Sequence, residues 1–91
     1  MSEISQTVKI TYESGLHARA STEFVRLAQR FESEIKVSRS DGIGVDGKSI
    51  IAVMTLGAQL GDEIVIETVG SDAAEALEAL IQLVRLDFHG V

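Results

Sequence analysis

A 91-residue chain without a single cysteine has to hold itself together by packing alone. The same absence removes disulfides, thiolate metal sites and thiol nucleophiles together. His17 and His89 stand 72 positions apart, unlike a zinc set, so no metal and no other cofactor is expected. The core must come from the 45% of residues that are apolar, a normal share for a globular chain. No proline, linker or repeat divides the chain, so residues 1–91 are expected to form one domain.

The hydrophobic period changes along the chain, with glycines between the segments. Val8, Ile10 and Tyr12 alternate with Lys9 and Thr11, which predicts a strand ending at Ser14-Gly15. From Ala18 to Phe31 the spacing is helical. Ala20, Phe24, Leu27, Ala28 and Phe31 fall on one face, and Arg19, Thr22, Glu23, Arg26 and Arg30 on the other. Ile35 and Val37 mark a second strand, Asp41-Gly42 a hairpin turn, and Ile43 and Val45 a short return strand. Ser49 to Leu56 fits a strand or a helical turn; Ser49 as N-cap and Gly57 as stop favour a short helix. Ile64, Val65 and Ile66 form a further strand. Ser71 opens the longest helix, with Asp72 and Glu75 in its first turn, Arg85 in its last, and an apolar face of Ala73, Ala74, Leu77, Leu80, Ile81, Val84 and Phe88. The order β-α-β-β-α-β-α, with hairpin-connected strands and helices on one face, predicts an α+β two-layer sandwich.

The formal net charge of −6 argues against general binding to nucleic acid or anionic membranes. The longest apolar run, Ile50–Met54, is far short of the roughly 20 residues of a membrane span. The N-terminal MSEISQTVKI lacks a basic stretch followed by an apolar one, so a cytoplasmic protein is expected.

Two motifs could carry chemistry. Gly42-Ile43-Gly44-Val45-Asp46-Gly47-Lys48-Ser49 fits the phosphate-binding pattern G-x-x-x-x-G-K-[ST]. Its context argues against that use. Ile43 and Val45 alternate like a strand, Asp46 would put negative charge in the phosphate nest, and the helix that follows is too short. Gly15-Leu16-His17-Ala18-Arg19 is the other motif. His17 falls at the start of the amphipathic helix, where unpaired first-turn N–H groups favour an anion. A neutral imidazole there is a competent nucleophile, and Arg19 can add a charge-assisted contact to phosphoryl oxygens. Spacing alone leaves a simple cap or a solvated surface group as alternatives. For His89, beside Gly90, a cap or a solvated role is the natural reading.

Gly15-Leu16-His17-Ala18-Arg19-Ala20 resembles the phosphohistidine motif of the HPr family, phosphocarriers of the phosphoenolpyruvate-dependent sugar phosphotransferase system. Asp46-Gly47-Lys48-Ser49-Ile50-Ile51-Ala52-Val53-Met54-Thr55-Leu56-Gly57 resembles the family's second motif, around its regulatory serine. The resemblance extends over essentially the whole chain. It implies an open-faced sandwich, a four-stranded antiparallel sheet with three helices on one side. It further implies that enzyme I phosphorylates His17 at Nδ1, that Arg19 steadies the group, and that a histidine on a IIA component receives it. Ser49 matches the position modified in some bacteria by HPr kinase/phosphorylase. Such a carrier is not a stand-alone enzyme and is expected to be a monomer. Ala20 departs from the family's usual proline, which raises the prospect of a nitrogen-branch paralogue.

Residues His17 to Arg30 sum to +2, leaving −8 for the rest of the chain. Arg19, Arg26 and Arg30, with Lys48 expected nearby, would form a basic collar that steers acidic partners. Leu16, Ile50, Ile51 and Met54 complete the expected docking surface; of the three on the second helix, two are expected to serve the core. The alternative function is a regulatory binding module of the same fold that acts through Ser49 without phosphoryl relay.

Overall fold

The computed structural model describes residues 2–40 and 42–90. In chain order it contains β1 (Ser2–Lys9), α1 (Ala18–Ala28), β2 (Glu34–Arg39), β3 (Val45–Asp46), α2 (Ile50–Thr55), β4 (Glu63–Gly70), α3 (Ala73–Arg85) and a closing turn, Asp87–Gly90. The four strands form one antiparallel sheet in the order β1-β4-β2-β3. β1 pairs with β4 from Ser2↔Gly70 to Lys9↔Glu63, and β2 pairs with β4 from Glu34↔Val69 to Arg39↔Ile64. Along β4, Ile64, Ile66, Thr68 and Gly70 are buried while Glu63, Val65, Glu67 and Val69 alternate onto the open face. Phe24, Val25, Val53, Leu80, Val84 and Phe88 join the buried strand residues in one core.

The helical faces follow the expected periods with local shifts. α1 buries Ala20, Ser21, Phe24, Val25 and Ala28, but ends at Ala28 rather than Phe31. Arg30 and Phe31 donate to the carbonyls of Leu27 and Ala28, three residues back, so the last turn tightens and the helix stops. α3 spans Ala73–Arg85 rather than running from Ser71 to Phe88. Ala76 and Leu83 belong to its buried face, whereas Ala74 is exposed. Asp72 stands at its N-cap position without capping it. Its carboxylate instead accepts from the Glu32 and Ser33 amides and the Ser33 hydroxyl, clasping the α1–β2 link to the start of α3.

The strands also differ from their expected bounds. β1 begins well before Val8 and ends at Lys9, leaving Tyr12 beyond the sheet in a turn closed by the Gly15 amide on the Tyr12 carbonyl. The return strand is only Val45–Asp46, and Ile43, expected within it, is 91% exposed. At Gly47 the backbone comes so close to β2 that a Cβ would lie 2.6 Å from Ile35 Cγ2, and its amide donates to the Ile35 carbonyl at 2.7 Å. Asp41, half of the expected hairpin turn, lies outside the described residues; the Gly42 amide donates to the Arg39 carbonyl at 3.0 Å. Among the described residues no helix is long and apolar enough to cross a membrane.

Candidate active site at the start of the first helix

The site begins with a glycine that no other residue can replace without strain. Gly15 has φ +64°, and a Cβ on it would sit 2.6 Å from the Ala58 carbonyl oxygen. This close approach lets the Leu16 amide donate to the Ala58 carbonyl at 2.9 Å, tying the turn before α1 to the segment after α2. The Ser21 hydroxyl, itself buried, donates back to the Leu16 carbonyl at 3.1 Å. Leu16, expected on the docking surface, is only 5% exposed and belongs to the core. The two hydrogen bonds that fix its backbone turn its side chain inward, leaving the next residue at the surface.

That residue is His17, the N-cap of α1, with extended backbone angles (φ −74°, ψ −176°) and a half-buried ring. Its Nδ1 accepts from the Arg19 amide at 3.0 Å. The acceptor role places a lone pair on Nδ1 and the ring proton of the neutral form on Nε2. The first intrahelical bond runs from the Ser21 amide to the His17 carbonyl, so the amides of Ala18, Arg19 and Ala20 have no acceptor within the helix. A nucleophilic nitrogen therefore faces a cluster of backbone donors at the positive end of an 11-residue helix, with the exposed Arg19 beside it. Such an arrangement can take an anion bonded to Nδ1 and hold its oxygens.

The aromatic ring of Tyr12, which carried no functional signal in the sequence, stands against the imidazole with centroids 5.5 Å apart. Strand alternation alone assigns Tyr12 to the sheet, and only the turn beyond β1 brings it to His17.

The expected collar is only partly assembled. Arg19 and Arg26 are exposed on α1 and border a shallow groove with Ala18, Thr22 and Glu23. Glu23 approaches Arg26 to 4.0 Å. Arg30 is exposed just past the helix end. Lys48 does not lie near His17. Its ammonium donates to the Phe31 carbonyl at 2.6 Å, and its own carbonyl accepts from the Gln29 side chain. Lys48 and Ser49 thus sit at the far end of α1, which is about 16 Å long over its 11 residues. The cause is direction. α2 runs antiparallel to α1, so its C-terminal side, not its start, meets the His17 turn.

The Lys48 contact also settles the phosphate-binding pattern. Val45–Asp46 is a strand, and the Asp46 carboxylate accepts from the Lys48 amide. The ammonium is likewise engaged within the fold. Ser49 is the N-cap of α2, its hydroxyl accepting from the Ala52 amide at 3.2 Å. Of the apolar residues on α2, only Val53 is buried. Ile50, Ile51 and Met54 are 39%, 76% and 41% exposed, so none of the three is spent on the core as expected of two. Sequence reasoning also passed over Arg39. Its guanidinium donates to the Leu56 carbonyl at the end of α2 and pairs with Asp62 at 3.3 Å, bracing the segment that supports Gly15. Sequence separations of 17 and 23 residues leave no local signal for those contacts.

The family profile described as "PTS HPr component phosphorylation site" matches residues 4–85. The phosphocarrier protein HPr of Neisseria meningitidis serogroup A is 44% identical over 82 residues, covering 90% of this chain and 91% of that protein. The phosphocarrier protein NPr of Escherichia coli K12 is 34% identical over 85 residues, covering 93% and 94%. Among solved structures, HPr from Bacillus anthracis superposes with a TM-score of 0.87 at 40% identity, covering 92% of this chain and 99% of that one. Sequence, sheet and helix arrangement together define a phosphocarrier of the phosphotransferase system. The chain belongs to the HPr family.

Proposed function

We propose that this chain accepts a phosphoryl group on Nδ1 of His17 from phosphorylated enzyme I and passes it to a histidine on a IIA component. The observation that carries this reading is the hydrogen bond from the Arg19 amide to Nδ1. It aims the nitrogen lone pair at the donors that would bind the transferred oxygens. As the Nδ1–P bond forms, the P–N bond to the donor histidine breaks and that imidazole keeps the electron pair. Nδ1 cannot accept a hydrogen bond and bond to phosphorus with the same lone pair, so the Arg19 amide is released to a phosphoryl oxygen. The Arg19 guanidinium adds a charge-assisted contact. Nε2 keeps its proton, and the ring carries the resulting positive charge. Transfer to the IIA histidine reverses these steps. The chain supplies the carrier group, and the phosphoenolpyruvate chemistry stays with enzyme I.

Arg19, Arg26, Ile50, Ile51 and Met54 form the docking surface in this reading, with Arg30 at its margin. Charge steers encounter and the exposed apolar side chains of α2 make contact. Ser49 is the regulatory position, addressed by HPr kinase/phosphorylase where a bacterium has one. Its place beside the opposite end of α1 from His17 means that a phosphate there would act on docking along α2 and not on the imidazole itself.

Incubation with enzyme I and labelled phosphoenolpyruvate tests the relay. Acid-labile label is expected on the wild type and on no His17→Ala protein, whose fold should be unchanged. Label that persists in His17→Ala would refute the assignment. Absent His17 label together with strong Ser49 labelling by a kinase would favour the regulatory module.

A further inference from the structure

Among the described residues, the closing turn is the one stretch where consecutive non-glycine residues take left-handed backbone angles. Asp87, Phe88 and His89 have φ of 53°, 55° and 61°. Each Cβ disfavours that region, so the turn persists only because its surroundings determine it. Two contacts do so. The Thr11 hydroxyl donates to the Asp87 carboxylate at 2.6 Å. Phe88 is fully buried, and its ring meets Tyr12 edge-on with centroids 5.7 Å apart. Thr11–Asp87 and Tyr12–Phe88 thus join adjacent residues of two segments 76 positions apart.

Tyr12 continues this contact to the site, its ring tilted 45° against the His17 imidazole at 5.5 Å. In the resting protein the imidazole is held twice, by the Arg19 amide on one edge and by Tyr12 against the ring. Phosphoryl transfer removes the first restraint, because the lone pair that accepts from the amide is the one that bonds phosphorus. Tyr12 still stands against the ring after that release. The ring also becomes cationic at that moment, within the roughly 6 Å over which an aromatic group attracts a cation.

We propose that Tyr12 is a positioning residue for His17, braced from the C-terminal turn by Phe88, that keeps the imidazole aligned when its hydrogen bond to the helix is given up. The proposal rests on His17 as the phosphoryl acceptor. It adds a restraint that neither of the two motifs contains.

The test compares wild type, Tyr12→Phe, Tyr12→Leu and Phe88→Leu by two readouts. The first is the position of the His17 ring-proton resonances in the unphosphorylated protein. The second is kcat and KM for phosphoryl acceptance from enzyme I. Tyr12→Leu keeps an apolar side chain but removes the ring. It is expected to shift the His17 resonances and lower kcat roughly tenfold or more, the scale set by misaligned reacting groups, with KM nearly unchanged. Tyr12→Phe should restore both, and Phe88→Leu should shift the His17 resonances through Tyr12. Unchanged resonances and kcat in Tyr12→Leu, a change in KM alone, or equal damage by Tyr12→Phe would overturn the proposal. Unshifted resonances in Phe88→Leu would overturn the brace. Failure of the wild type to take label from enzyme I would strike the relay reading instead, and the resonance comparison would still decide whether Tyr12 holds the ring.

Discussion

Replacing Gly15 by alanine isolates the backbone contact on which the site is built. Two penalties apply. An alanine at φ +64° costs about 1–2 kcal/mol for its left-handed backbone. Its Cβ would also stand 2.6 Å from the Ala58 oxygen and 2.8 Å from Gln59 Cα, both backbone atoms that no rotamer change can clear. The turn must move away, and the Leu16–Ala58 hydrogen bond, worth about 1 kcal/mol, goes with it. Gly57 supplies the control. Its φ is +65°, nearly identical, but a Cβ there would meet nothing closer than the Arg39 Nη1 at 3.9 Å. Gly57→Ala therefore carries the torsional cost and the same gain in unfolded-state rigidity without the collision. Gly15→Ala is expected to be about 2–4 kcal/mol less stable than wild type, which in a domain of this size lowers Tm by roughly 10 °C or more. Gly57→Ala should lose only about half as much. Thermal and urea melts give both values, and His17 labelling by enzyme I should fall in Gly15→Ala even at temperatures where it is folded. Equal Tm values for the two variants would refute the collision argument, since torsion alone would then account for the loss.

Three further outcomes are expected. Hydrogen bonds from the Ser33 hydroxyl and the Glu32 amide hold the Asp72 carboxyl below its usual range, so its stabilisation is present above the unfolded value near 4 and fades as pH falls through the folded one. Asp72→Asn should thus melt below wild type at pH 7 and approach it in acid, as read by Tm against pH. Glu67 behaves oppositely: a hydrogen bond with Glu3, then burial and like charge, raise its carboxyl, and Lys36 only partly offsets them. Glu67→Gln should melt above wild type at pH 7, with the advantage shrinking as acid protonates the wild-type carboxyl. Ser49→Ala removes the α2 cap and should cost about 1 kcal/mol, whereas Ser49→Asp should keep the melt close to wild type yet raise KM for enzyme I; an Asp variant with unchanged KM would argue against regulation through docking.

Much of the fold is legible from local pattern because helix and strand periods report which side of an element is buried. Phe24, Ala28, Leu80 and Val84 fall on core faces as their spacing predicts, and Ser49 caps the helix it precedes. Departures from the pattern fall at the ends of elements, where periodicity no longer says which side faces the core. Ala74 fits the apolar stripe of α3 but lies exposed, and Ile43 fits a strand but stands in water beyond the short edge β3. Leu16 belongs to the motif yet is core, because its backbone is tied to Ala58 and Ser21.

The amino-acid order by itself determines the element types, the α+β class, the helix-capping imidazole and the family motifs, because each depends on residues within one or two turns of one another. Folding in three dimensions decides the rest. The antiparallel course of α1 and α2 carries Lys48 and Ser49 away from His17, and Asp72 clasps a segment 40 residues earlier. Tyr12 and Phe88 meet beside the imidazole across 76 positions. Such contacts arise from how layers pack, and periodicity within one element holds no information about which distant partner will face it.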